Sequence, residues 1–192
     1  MQTAKTLVAG ETIDKNGMIL AFAALFAAGA HGTQRRKYTG EPYVYHCIEV
    51  GAHIASMSMK DSRLTDNVII AATLHDVLED TAVTYDVIKE NFGSEVADLV
   101  VELTDVKTEG NRAQRKAADR ERLSKVSYEA ASIKYCDLIS NTKSISEHDP
   151  KFASLYLQEK RMLLQVMRQG NQTLLSEAEH VLEQAEKKLS NN

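Results

Sequence analysis

At 192 residues, with 43% apolar side chains, the chain is long enough for one domain with a sizeable core. A net charge of −4 and a pI near 5.9 give no overall basic footprint, which argues against non-specific nucleic-acid binding. Two prolines and nine glycines are little punctuation and favour long helices, while Cys47 and Cys136, far apart and without CxxC spacing, exclude a zinc pair or a disulfide framework.

Residues 1–15 are polar and unpatterned. Met18 to Ala30 is apolar, but Glu11 and Asp14 precede it together with Lys5 and Lys15, so the positive leader of a signal peptide is missing. The run also falls short of the ~20 residues of a membrane span. It predicts an alanine-rich helix from Gly17 to His31, apolar almost all round and therefore central in a bundle. With the two cysteines read as small buried hydrophobes, this predicts a cytoplasmic protein in a reducing compartment, with no membrane contact.

Arg35, Arg36 and Lys37 form a basic loop closed by Gly40 and Pro42. Pro42 suits the first position of a helix that runs to about Met59, with Val44, Ile48, Ala52 and Ala55 on one face and His46 in its first turns. A lone helical histidine is by itself an ordinary structural residue.

Asp66 to Asp80 is the stretch around which the chain is organised. An apolar run, Val68 to Leu74, leads straight into His75-Asp76 and then Glu79-Asp80. Residues three and four apart share a helix face, so Glu79 lies over His75 and Asp76, and Asp80 over Asp76. Acids crowded into the last turn of a helix oppose its dipole. Without a cation among them this is either a solvated acidic helix end or a costly buried cluster, and the apolar run favours the second. A divalent metal removes the cost, and histidine with carboxylate oxygen is a borderline-to-hard ligand set.

Two short helices follow, Thr84 to Phe92 and one capped by Ser94, with Gly93 between them. Arg112 to Lys125 is heavily charged and reads chiefly as a solvated helix with i,i+4 pairs. Ser127 opens a long helix to His148, in which Asp137 interrupts the apolar stretch Ile133 to Ile139 and Asn141 lies one turn further along the same face. Asp149-Pro150 starts another helix that Gly170 should stop, and a last one spans roughly Thr173 to Leu189. The last two carry no convergent chemistry and read as packing helices or as a homo-oligomer contact. The expected architecture is an all-α bundle of about eight to nine helices, organised as an N-terminal segment (1–15), a core (16–149) and a C-terminal helical pair packed on it (150–192).

His46, His75, Asp76 and Asp137 come from three predicted helices, and a bundle can aim such side chains at a common point. Two histidines and two aspartates with water completing the shell suit manganese, iron or zinc. The sequence then resembles the HD superfamily of metal-dependent phosphohydrolases, and more narrowly the hydrolase domain of RelA/SpoT-type enzymes and the small alarmone hydrolases. The matching pieces are Arg36-Lys37, Thr39-Gly40-Glu41-Pro42-Tyr43-Val44-Tyr45-His46, His75-Asp76-Val77-Leu78-Glu79-Asp80-Thr81, Leu103-Thr104-Asp105-Val106 and Ile133 to Asn141. They occur in the family's order and cover roughly residues 17–148.

The resemblance implies an HD-domain helical bundle. It implies that His46, His75, Asp76 and Asp137 are ligands of a divalent metal, typically Mn2+, and that Glu79 and Asp80 position and deprotonate the attacking water. It implies that Arg36 and Lys37 meet substrate phosphates and that Asn141, with Ser144, contacts the nucleotide sugar. The implied activity is removal of the 3′-pyrophosphate from (p)ppGpp, giving GDP or GTP. The alternatives are an HD phosphohydrolase acting on another nucleotide (an NMP, a dNTP or NADPH) and a non-catalytic nucleotide-binding regulator.

Overall fold

The computed structural model describes residues 15–106 and 109–191. The polar segment expected before Lys15 lies outside the described residues. Ten helical segments follow one another: α1 (Lys15–His31), α2 (Val44–Ser58), α3 (Asp66–Thr73), α4 (Val77–Asp80), α5 (Tyr85–Phe92), α6 (Ser94–Leu103), α7 (Arg112–Leu123), α8 (Tyr128–His148), α9 (Pro150–Val166) and α10 (Gln172–Ser190). Among the described residues no strand forms, and the one extended pairing is an isolated bridge between Arg35 and Pro42. The all-α expectation holds.

The centre of the bundle is not where the sequence puts it. Ala23 and Ala27 of α1 are fully buried, but Met18 and Leu25 are 61% and 72% exposed. α1 is a peripheral helix packed on α2 and α3, with Ala23 and Ala27 at its buried centre and Phe26 partly buried against Phe92. The helix buried on every side is α3, whose residues Val68 to Thr73 are all inside. α8 crosses the middle beside it, packed on α2, α3, α6, α9 and α10.

The buried face of α2 also differs from the expected one. Ile48 is exposed, whereas His46, Cys47, Val50, Gly51 and Ile54 face the core. The apolar stripe through Val44 and Ile48 is outvoted by the stripe that carries His46, because only the latter has a glycine where α3 must approach. A β-carbon on Gly51 would lie 2.2 Å from Thr73 Oγ1. Pro42 does not open α2; it sits in the bridge, and Tyr43 precedes the first helical residue.

Sequence signals at the ends of the later helices work as side-chain caps. Asn111 and Gln114 form a reciprocal capping box at α7, Ser127 accepts from the Ala130 amide, and Asp149 accepts from the Phe152 amide with Pro150 following. Gly93, at φ 91°, makes the turn between α5 and α6. α9 stops at Val166, before Gly170. Gly170 serves a close approach instead, since a β-carbon there would meet Tyr135 Cε2 at 2.6 Å and the Ser132 amide nitrogen at 2.9 Å. Among the described residues no helix is long and apolar enough to cross a membrane.

Candidate metal centre

The helix expected over residues 66–80 is broken. α3 ends at Thr73, Leu74 to Asp76 form a turn, and α4 is a single turn from Val77 to Asp80. The acids therefore do not end a long helix but a single turn whose start and end coincide. Asp76 occupies the N-cap position of α4, and Glu79 and Asp80 belong to its one turn. The break exists because the chain must turn His75 inward: its Nδ1–H donates to the Ala72 carbonyl at 2.8 Å. A carbonyl can only accept, so Nδ1 carries a hydrogen whatever the charge of the ring, and Nε2 is the nitrogen turned to the centre.

His46 from α2 and Asp137 from α8 arrive at the same point. His46 Nε2 is 3.2 Å from Asp137 Oδ1 and 3.6 Å from Asp76 Oδ2; His75 Nε2 is 3.0 Å from Asp76 Oδ2 and 3.8 Å from Asp137 Oδ1. All four residues are buried or nearly so. Both Nε2 atoms are inaccessible and make no hydrogen bond of proper geometry. Two orphaned imidazole nitrogens facing two buried carboxylates form a donor set that fits a divalent cation. The site oxygen of Asp137 and the two Nε2 atoms lie within 4.8 Å of one another, as ligands of one ion must.

Neighbouring charges tune the set. Burial works against a charged His75, but the Asp76 and Asp137 carboxylates outweigh it and raise the imidazole to about 9. Burial likewise opposes charge on Asp137, yet the Lys134 ammonium, 2.8 Å from Oδ2, and the two imidazoles hold its carboxyl well below the ordinary range. Tyr43 donates to Asp76 Oδ2 at 2.7 Å, and burial together with that carboxylate keeps its phenol protonated far above the usual value. Lys134 and Tyr43 were not singled out from sequence. Lys134 was legible in principle, since it stands three residues before Asp137 on a helix, and Tyr43 sits inside the box that ends at His46.

The remaining expected residues surround this centre. Glu79 lies at the rim, where its carboxylate accepts from the Asp105 amide at 3.1 Å, and partial desolvation raises its pKa. Asp80 accepts from Gln34 Nε2 at 2.8 Å, and Gln34 in turn is held by His31. Arg36 donates through one terminal nitrogen to Asn141 Oδ1 at 2.9 Å, while the Asn141 amide nitrogen donates to Asp137 Oδ1. Arg36, Glu49, Ser140 and Ser144 line a cleft of about 240 Å³ that reaches His46. Lys37 is 73% exposed and bonded to Tyr38 and Asp149, outside that lining. Among the cations of α7, Arg112 is bidentate to Glu159, Lys116 is paired with Asp119, and Arg122 is held by Asp105. A larger groove of about 360 Å³ between α9 and α10 contains none of the ligand set.

Comparison with known proteins agrees with this geometry. The HD domain family model matches residues 23–164, most of the chain. The guanosine-3′,5′-bis(diphosphate) 3′-pyrophosphohydrolases MESH1 of Drosophila melanogaster and Homo sapiens are 36% and 37% identical over 126 and 131 residues. Those matches cover 65% and 67% of this chain and 68% and 70% of the relatives. A guanosine-3′,5′-bis(diphosphate) 3′-pyrophosphohydrolase of Aquifex aeolicus is 48% identical over 81 residues, 42% of this chain but only 11% of that much longer protein. A solved structure described as a metazoan ortholog of SpoT that hydrolyzes ppGpp superposes with a TM-score of 0.75 at 28% identity, covering 86% of this chain and 94% of that one. Fold, His-Asp pair and family match converge, and the chain belongs to the HD-domain family.

Proposed function

We propose that this chain is a metal-dependent hydrolase that removes the 3′-pyrophosphate from guanosine 3′,5′-bis(diphosphate) or its pentaphosphate, leaving GDP or GTP. The observation that carries the reading is the pair of buried, unbonded Nε2 atoms of His46 and His75 facing the Asp76 and Asp137 carboxylates. The MESH1 relatives, each matched over more than two thirds of its length, give the substrate class.

His46, His75, Asp76 and Asp137 would hold the cation, and the two oxygen ligands together with water favour manganese. When bound, such a cation lowers the pKa of a coordinated water and polarises a phosphoryl oxygen. Glu79, its pKa raised by desolvation, accepts the proton that the attacking water gives up. Asp80, held by Gln34, orients that water. The water oxygen bonds to the phosphorus attached at the ribose 3′ position, the bond from that phosphorus to the 3′ oxygen breaks, the proton taken by Glu79 balances the one the 3′ oxygen gains, and pyrophosphate departs.

Arg36 offsets the charge on the phosphates. Asn141 occupies one of its terminal nitrogens and leaves the others for an anion. Through the same amide Asn141 steadies Asp137, so it serves both the ligand set and the substrate side. Ser144, which lines the cleft with Arg36, contacts the sugar, and exposed Lys37 meets phosphate. Free, buried Cys47 and Cys136 are in keeping with a reducing cytoplasm.

The test is a hydrolysis panel. Chelator-stripped protein is incubated with and without Mn2+ against ppGpp, pppGpp, NADPH, dNTPs and NMPs, and products are identified by mass. Mn2+-dependent release of pyrophosphate from ppGpp, with GDP left, is the expected result. Turnover of another nucleotide instead removes the alarmone assignment, and bound metal with no turnover anywhere removes the enzymatic one.

A further inference from the structure

We infer that Glu49 and Ser140 form a hydrogen-bonded relay that fixes the tautomer of His46, which makes them positioning residues of the ligand centre; the inference rests on reading that centre as a metal site. His46 Nδ1 lies 3.0 Å from Ser140 Oγ, and Ser140 Oγ donates to Glu49 Oε2 at 2.6 Å. A hydroxyl has one hydrogen. Because that hydrogen goes to a carboxylate, which can only accept, the hydroxyl oxygen faces His46 as an acceptor. Nδ1 therefore carries the ring hydrogen, and Nε2 is left with a lone pair for a cation.

Without the relay the opposite arrangement is favoured. Nε2 is 3.2 Å from Asp137 Oδ1 and 3.6 Å from Asp76 Oδ2, both acceptors. A neutral ring free to choose places its hydrogen between them, which blocks the ligand position. His75 has no such choice, because the Ala72 carbonyl opposite its Nδ1 cannot donate. The Ser140 hydroxyl can rotate and donate to Nδ1, and only Glu49 removes that alternative. Ser140 is buried at 4% exposure, so water does not compete for the bond, while Glu49 stands at the cleft and is exposed. The arrangement is the hydroxyl-extended form of a histidine ligand oriented by an outer carboxylate.

The test uses the full chain. Nitrogen-15 NMR of the His46 ring in metal-free protein, at a pH where the ring is neutral, reports whether Nδ1 is protonated, and titration with Mn2+ gives the affinity. Glu49 is exposed, so its replacement leaves the core intact. Wild type and Glu49→Gln, whose amide oxygen still accepts from Ser140, are expected to keep the hydrogen on Nδ1. Glu49→Ala releases the hydroxyl, moves the hydrogen toward Nε2 and weakens Mn2+ binding about 10–100-fold. Ser140→Ala shows a comparable loss of affinity, with a thermal melt separating that loss from misfolding. A Glu49→Ala protein with wild-type tautomer and wild-type affinity overturns the relay. If wild type itself binds no divalent cation, the metal-centre reading falls, while the tautomer comparison still decides the relay.

Discussion

His75 and His46 reach the same point from two kinds of structure. His75 sits in the turn between α3 and α4, and its ring is anchored by the carbonyl of Ala72, three residues away. That anchor is backbone, local and one-way. His46 sits on α2 and is anchored across the bundle by Ser140 of α8, which is in turn held by Glu49 of α2. That anchor is made of side chains, depends on the packing of two helices, and has a hydroxyl in it that can point either way. A local anchor survives changes elsewhere in the bundle, whereas a cross-helix anchor ties the ligand set to the fit of α2 against α8.

Asp137 belongs to both halves of that contrast, and its loss is the largest expected effect. Asp137→Ala removes an oxygen from the centre and leaves Lys134, 14% exposed, without its 2.8 Å partner. Metal retention and turnover should vanish together, and stability should fall by about 3–5 kcal/mol in chemical denaturation, as when one member of a buried ion pair is removed. Full metal occupancy in this variant would take Asp137 out of the ligand set.

Glu79→Gln touches neither anchor. It should leave metal content and substrate affinity in place and lower the rate by about 10²–10⁴-fold, the usual range for a positioned base. Steady-state kinetics with parallel metal analysis checks this, and a fully active variant ends the assignment.

The His75 imidazole can be tested by pH. His75, raised to about 9, keeps a proton at neutral pH that an incoming cation must displace. Affinity for Mn2+ should therefore rise between pH 7 and 9, by up to about tenfold per unit, and fall as pH drops below that window. Proton release, measured calorimetrically in buffers of different ionisation enthalpy, gives the count directly. An affinity flat across the window would mean that His75 is already neutral without metal.

The smallest effect on chemistry is expected from Gly51→Ala. It inserts a β-carbon where α2 meets Thr73 of α3, and the Thr73 hydroxyl, bonded to the Ile69 carbonyl at 3.0 Å, has to give way. Overpacking of this kind costs about 1–3 kcal/mol. Because His46 rides on the same helix, metal affinity should fall modestly with stability, while a Gly29→Ala control, with open space around it, should change neither.

Much of the centre was legible in the chain itself. An adjacent His-Asp pair at the end of an apolar run, an acid pair one turn later and an aspartate inside an apolar helical stretch are each odd for a solvated surface, and they pointed to His75, Asp76 and Asp137, whereas His46 stood out only beside them and through the family resemblance. The all-α class and the caps at Ser127 and Asp149 followed from local rules, because a cap needs only residues within three positions. What failed was non-local. The periodicity of α1 is compatible with burial on every side, and the same pattern serves a peripheral helix in which Ala23 and Ala27 are fully buried while Met18 and Leu25 stay exposed. The face of α2 that turns inward was chosen by the close approach at Gly51 rather than by the apolar count. The break at Leu74 to Asp76 is invisible in propensity, since no proline or glycine marks it; it is made by the ring of His75 bonding back to Ala72. Sequence alone determined which residues could be ligands, because ligand chemistry belongs to residue types. Tertiary structure decided which nitrogen of each histidine faces the centre, because that depends on partners such as Ser140 and Glu49 that lie some ninety residues apart and meet only when α2 packs on α8.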